Sequence, residues 1–182
     1  MKLILDLSIS FFFLIFFSPL IITVSILIIL IDGLPILYIS KRVGKNNKIF
    51  NIYKFRTMKL NSKNDEITSL GKFIRRSSVD ELPQLLNVLI GDMSIVGPRP
   101  LPKYILRNIS KKKIVLRSSI KPGITGFSQI RYKGIKRTLN EKIDLDLLYI
   151  KNHNIFLDLY IIFLTPIALI KRFFFNKKGI TL

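Results

Sequence analysis

The hydrophobic pattern is most uneven at the start of the chain, where no charged residue occurs from Leu7 to Ile31. As one straight helix that run would extend about 37 Å, longer than a hydrocarbon core of roughly 30 Å. Ser18-Pro19 stands at its centre. Pro19 has no N–H and its ring collides with the preceding turn, so the helix is expected to kink there. The Ile15 carbonyl is then left for Ser18 to satisfy. A kink leaves two readings open, a spanning helix and a re-entrant one. A cleaved secretory signal is disfavoured: Lys2 is offset by Asp6, and no Ala-x-Ala site follows the run. Lys2 and Asp6, four residues apart, are expected to pair on one helix face. Lys41, Arg42, Lys45 and Lys48 crowd the far flank, which places that flank in the cytoplasm by the positive-inside rule.

Beyond Asp32-Gly33 and Pro35, which mark a turn, the pattern changes period. Ile49 to Phe55 alternates and predicts a short strand. Lys54 and Arg56 are expected on opposite sides of it, so that one at most faces a given site. Leu60 to Thr68 is polar and reads as a loop. Apolar residues at 82, 85, 86, 89 and 90 have helical spacing, with Gly91 as the stop. Val96 to Pro102 is a rigid non-helical passage, Tyr104 to Ser118 a basic helix, Lys121 to Gly126 a Pro/Gly loop and Thr138 to Asn152 a helix. Phe156 to Phe175 is the second apolar stretch. Its uncharged part, Leu159 to Ile170, extends only about 18 Å and is too short to span. An interfacial helix and an ordinary core helix both fit it.

Composition sharpens this picture. The 182 residues hold 30 Lys+Arg against 11 Asp+Glu, a net charge of +19. Such a surface seeks polyanions, although a general bias toward Lys, Ile, Asn and Phe accounts for part of the excess. A nucleic-acid binder would interleave aromatic residues with the bases, whereas most Phe here lie in the apolar runs. With no cysteine, disulfides, thiol catalysis and thiolate zinc sites are excluded.

Acidic residues are scarce, which draws attention to Asp80-Glu81 just before the helix at Leu82. Two readings compete. Ser78-Val79-Asp80-Glu81 fits a capping box, and Asp80 could itself be an N-cap, with Pro83 tolerated in the first turn. Alternatively the two carboxylates bind Mg²⁺ on a diphosphate or attack phosphorus, with Arg76 neutralising phosphate charge. Pro98-Arg99-Pro100 fixes one arginine fork between stiff residues. The Gly123 and Gly126 backbones could approach a ligand closely, although the loop is no Walker motif. His153 reads as a surface residue.

Several ordered motifs together resemble the bacterial sugar transferases, and within them the small monotopic phosphoglycosyl transferases. They are Lys54-Phe55-Arg56-Thr57-Met58, Arg76 through Leu85, Gly91-Asp92-Met93-Ser94, Gly97-Pro98-Arg99-Pro100, and Lys121 through Gly126, together with the Ser18-Pro19 break. The resemblance implies a mainly α fold with a short β element. Residues 1–35 would form a re-entrant membrane helix broken at Ser18-Pro19. Residues 36–182 would form a small cytoplasmic catalytic domain with interfacial amphipathic helices, on the cytoplasmic face of a bacterial inner membrane. It implies that Asp80 attacks a UDP-sugar with Mg²⁺ present, that UMP leaves, and that a polyprenol phosphate then takes the phospho-sugar to initiate glycan assembly. Asp80 and Glu81 would be catalytic and metal-binding. Arg76, Arg99, Lys54, Lys121, Pro98, Gly123, Thr125 and Gln129 would bind substrate or phosphate. Anionic lipids are implied partners and nucleic acid is not. Downstream glycosyltransferases and a homo-oligomer are left open. Leu3 after Lys2, and Ile130-Arg131-Tyr132-Lys133-Gly134 after Gln129, depart from the family pattern, so the sugar is unassigned. A non-catalytic basic membrane scaffold is the alternative, but it explains the anchor and charge without the motifs.

Overall fold

A computed structural model describes residues 2–60, 66–107, 109–131 and 137–175. The apolar run divides where the proline requires. Helix α1 (Lys2–Phe16) and helix α2 (Ser18–Asp32) meet at a 60° bend. The Ser18 hydroxyl donates to the Ile15 carbonyl at 2.8 Å, filling the place of the hydrogen bond that Pro19 cannot make. Among the described residues no single helix is long and apolar enough to cross a membrane; α1 and α2 pass that test only as a bent pair.

Lys2 and Asp6 do not pair with each other. Lys2 Nζ reaches Asp158 Oδ2 at 2.6 Å and the Val96 carbonyl at 3.1 Å, while Asp6 accepts from Ser94 Oγ at 2.8 Å and the Ile95 N–H at 3.0 Å. Both are drawn into the body of the protein, where partners buried from water are worth more than an exposed pair along the helix. The far end is tied as well. Arg56 donates to the carbonyls of Asp32, Gly33 and Leu34, and Thr68 Oγ1 donates to Asp32 Oδ2 at 2.9 Å. A buried guanidinium there satisfies orphan carbonyls at the negative end of α2.

Strand β1 (Leu37–Val43) pairs antiparallel with β2 (Ile49–Phe55), Leu37 opposite Phe55 and Val43 opposite Ile49. The sequence predicts β2 to the residue; β1 is an addition, hidden among the basic residues of the flank. Between them Asn46 and Asn47 take positive φ, a conformation asparagine tolerates. Of the expected loop from Leu60 to Thr68, residues 61–65 lie outside the described residues. Helix α3 (Ser69–Ser77) is capped by Thr68 and ends on Ser78 in the left-handed region. A 3₁₀ turn, Val79–Glu81, leads to α4 (Gln84–Ile90), which Gly91 stops at φ 97° as expected.

Strand β3 (Ser94–Val96) and the non-helical passage to Pro102 follow. The expected helix from Tyr104 to Ser118 is two short ones, α5 (Lys103–Leu106) and α6 (Lys111–Arg117), the second capped by Ser110. The expected Pro/Gly loop contains a strand, β4 (Gly123–Thr125), parallel to β3. After α7 (Phe127–Ile130), helix α8 (Leu139–Lys151) starts at a Thr138/Glu141 capping box. Of the departing segment after Gln129, 130–134, residues 132–134 lie outside the described residues.

Helix α9 (Ile155–Phe175) has two unlike faces. Asp158 and Ile161 are buried, whereas Phe156 and Phe163 are 79% and 77% exposed. One core gathers Phe50 and Ile52 of β2, Leu85 and Val88 of α4, Ile95 and Val96 of β3, Tyr149 of α8 and Ile161 of α9. The described chain is thus mainly helical with two small sheets, and the body they form carries the acidic pair at its edge.

Candidate active site

Neither carboxylate of Asp80-Glu81 caps a helix. Ser78 makes no side-chain cap bond, and the α4 N-cap position is Pro83, also without one. The left-handed Ser78 turns the chain sharply after α3. Glu81 therefore closes the 3₁₀ turn through its backbone N–H to Ser78 O at 3.2 Å, leaving its side chain for other partners. Glu81 Oε1 accepts from Lys54 Nζ and from Arg99 Nη2, each at 2.8 Å.

Lys54 arrives by strand alternation. Phe50, Ile52 and Lys54 share a face of β2; the first two are buried in the core, and the third is aimed at the turn beside it. Lys54 Nζ is also 3.6 Å from Asp80 Oδ2. Arg56 was expected on the opposite side of the strand, but two residues apart it would share the Lys54 face. What parts them is that β2 ends at Phe55, so Arg56 turns to the end of α2.

Arg99 is held from behind. Arg117 Nη2 donates to its carbonyl, and Arg117 forms a buried pair with Asp146 at 3.0 Å, Asp146 also accepting from Ser128 at 2.7 Å. Burial, opposed by Arg117 and Ser128, raises the Asp146 pKa. The strands β3 and β4 bring these segments together at close range. A Cβ on Gly123 would stand 2.0 Å from the Gly97 nitrogen, so glycine here permits backbone to cross backbone rather than a ligand to enter.

The two carboxylates sit in opposite electrostatic states. Burial, reinforced by the charge of Glu81 and opposed by Lys54, Arg99 and Arg75, pushes Asp80 up to about 6. Burial would raise Glu81 too, but Arg99 and Lys54 outweigh it and hold Glu81 well below the usual range. Among the described residues Asp80 accepts no hydrogen bond, its one ion pair being Lys54. Glu81 is a fixed anion; Asp80 is a buried carboxylate with open lone pairs and a near-neutral titration.

Of the other expected site residues, none reaches the acidic pair. Arg76 donates to the Phe173 carbonyl at 2.9 Å and lies 4.6 Å from the Phe173 ring centre; its neighbour Arg75 is the one whose charge acts on Asp80. Lys121 directs its ammonium to Gly91, where a cation suits a helix C-terminus. Pro98 accepts from the Gly123 N–H at 3.0 Å, Thr125 bonds Thr165 of α9 at 2.7 Å, and Gln129 Nε2 donates to Ile124 O at 3.3 Å. These support the β3–β4 crossing. His153 is exposed, with Nε2 3.5 Å from Asp158 Oδ2. Sequence reasoning missed Arg75, Arg117 and Asp146 as supports, and Arg42 as a neighbour of Arg99 and Glu81. Recognising β1 would have signalled Arg42.

The chain matches the family model described as bacterial sugar transferase over residues 1–172. It belongs to the bacterial sugar transferase family. Among the relatives of this sugar transferase is a UDP-N-acetylgalactosamine-undecaprenyl-phosphate N-acetylgalactosaminephosphotransferase of Aeromonas hydrophila. The two are 38% identical over 163 residues, covering 82% of this chain and 38% of the relative. A UDP-glucose:undecaprenyl-phosphate glucose-1-phosphate transferase of Klebsiella pneumoniae is 36% identical over 192 residues, 96% of this chain and 40% of the relative. The chain thus spans about two fifths of the length of these relatives. It covers 85% of the uncharacterized sugar transferase EpsL of Bacillus subtilis (strain 168), at 41% identity over 173 residues.

Proposed function

We propose that this sugar transferase moves a sugar phosphate from a UDP-sugar to a polyprenol phosphate of the undecaprenyl class, initiating glycan assembly at the cytoplasmic face of a bacterial inner membrane. The observation that carries the reading is the unlike state of the two adjacent carboxylates. One is locked as an anion by Lys54 and Arg99; the other is buried, accepts no hydrogen bond among the described residues and is poised near neutrality. That division suits a nucleophile and its electrostatic support.

In the first step an Asp80 carboxylate oxygen attacks the β-phosphorus. The bond from that phosphorus to the bridging oxygen breaks, and UMP leaves with the electron pair. Lys54 and Arg99 neutralise charge on the phosphoryl oxygens. In the second step an oxygen of the lipid phosphate attacks the same phosphorus, the bond to Asp80 breaks, and the carboxylate is restored. Mg²⁺ fits the available donors, which are oxygens only: Asp80 and Glu81 Oε2 would hold it alongside substrate phosphates, the usual habit of this ion. When bound it would supply further neutralisation of diphosphate charge.

The exposed apolar faces of α1, α2 and α9 support membrane association. The ties at Lys2 and Asp32 support a re-entrant anchor, because both ends of the bent pair are bonded to one body. A scaffold without catalysis would leave Asp80 buried beside a like charge for no return. The test is incubation of the chain with a panel of UDP-sugars and no lipid. One sugar is expected to release UMP stoichiometrically and leave the protein labelled; release that strictly requires polyprenol phosphate would sink the covalent scheme.

A further inference from the structure

The proposed reaction makes no use of Arg42. The register sets Tyr38 opposite Lys54, Ser40 opposite Ile52 and Arg42 opposite Phe50. Directly paired residues point to the same side of a sheet, so Tyr38, Ser40 and Arg42 share the face that carries Lys54 to the acidic pair. The end of β1 is fastened to the Arg99 segment, the Val43 N–H donating to Leu101 O at 3.0 Å. Arg42 therefore faces the site from the side of Arg99. Its Nε is buried and has no hydrogen-bond partner among the described residues, and Glu81 is already engaged by Lys54 and Arg99. Burial lowers the Arg42 pKa and the like charge of Arg99 lowers it further, against Tyr38, Tyr104 and Glu81. A half-buried cation beside another cation, with an unfilled donor, is relieved by an anion.

We propose that Arg42 binds the phosphate that stays with the nucleotide when the donor is split, so that β1 and α5 form the seat of the leaving nucleoside monophosphate. This rests on the reading of Asp80 as the nucleophile. Arg99 meets Glu81 directly at 2.8 Å, whereas Arg42 stands on β1, whose next residue, Val43, is fastened to Leu101, beyond Arg99 in the chain. On this placement Arg99 serves the acidic pair and Arg42 the next anion along the donor. A diphosphate whose attacked phosphorus lies with Lys54 and Arg99 presents its other phosphate to Arg42. Tyr38, on the same face of β1, and Tyr104 of α5 are 48% and 66% exposed and offer aromatic faces to a nucleoside.

The experiment uses the full chain in lipid nanodiscs with UMP as the probe, comparing wild type with Arg42→Ala. The variant is expected to bind UMP at least about tenfold more weakly and to raise the donor KM by a similar factor. Protein loaded at saturating donor and freed of nucleotide is expected to discharge to polyprenol phosphate at the wild-type rate, since that step needs no nucleotide. Wild-type UMP affinity in the variant, or an equal loss in the discharge step, overturns the proposal. Where Arg42→Ala does not fold, Arg42→Gln carries the same comparison. A wild-type chain that binds UMP through Arg42 but turns over no UDP-sugar would refute the transferase reading alone; normal turnover with undiminished UMP binding in the variant would refute the Arg42 assignment alone.

Discussion

Asp80 is kept ionisable in a place that resists its charge. A carboxyl raised from 3.8 to about 6 makes the folded state bind the proton more tightly than the unfolded chain does. The stability that the neutral form enjoys is therefore present below the unfolded value and is lost as pH rises through about 6. Above that pH the ionised side chain costs the fold about 3 kcal/mol. Asp80→Asn is expected to lower turnover at least about a thousandfold and yet to melt higher than wild type at pH 7.5, the two melting temperatures converging below pH about 4. Normal turnover in this variant would remove Asp80 as nucleophile; a lower melting temperature would contradict the buried charge. For the same reason the rate of UMP release should rise about tenfold per pH unit below about 6 and level off above it, as the attacking carboxylate ionises. A release rate flat from pH 4.5 to 7.5 would refute that assignment.

Among the elements, the crossing of β3 and β4 supports the arginine that meets Glu81. Arg117→Met alone leaves Asp146 buried without its cation and is expected to cost about 3–5 kcal/mol. The double change Arg117→Met with Asp146→Leu should recover much of that stability, because apolar residues pack where the pair stood. Turnover should stay low, since the Arg99 carbonyl has lost its donor; wild-type turnover in the double variant would end the positioning role. Helices and stops were legible where a local rule dominates: Pro19 with Ser18, and Gly91. The strand β2 was legible because its alternation is clean. Legibility failed where partners come from distant segments. Strand β1 is written in basic residues that look like a membrane flank, and only its pairing with β2 reveals it. Ser78 to Glu81 spells a capping box, but Lys54 and Arg99, residues from other elements, take the Glu81 carboxylate. The resemblance implies a phosphate role for Arg76, yet the aromatic face and carbonyl of Phe173 hold it away from the acidic pair.

At the scale of the molecule, the bent helix pair and the body form one unit. Because the chain has no cysteine, single cysteines report topology cleanly. Ile4→Cys and Leu34→Cys, at positions 69% and 67% exposed, should both react with an impermeant maleimide from the cytoplasmic face, while Phe16→Cys near the bend should be shielded. Labelling of positions 4 and 34 from opposite faces would make the anchor a span and would require the Lys2 or Asp32 ties to break.

Those ties also decide which property of a membrane the protein can sense. In the proposed re-entrant anchor each helix is about 22 Å long, less than a hydrocarbon core of roughly 30 Å, so neither alone would reach the opposite leaflet. A through-going helix tilts or stretches when lipid chains lengthen, and that strain passes to whatever it carries. Here Lys2 and Asp32 are fixed to the same body, so the proposed anchor would set the height of Asp80 above the lipid phosphates by the protein's own frame. Turnover in bilayers of short and of long acyl chains should accordingly be alike.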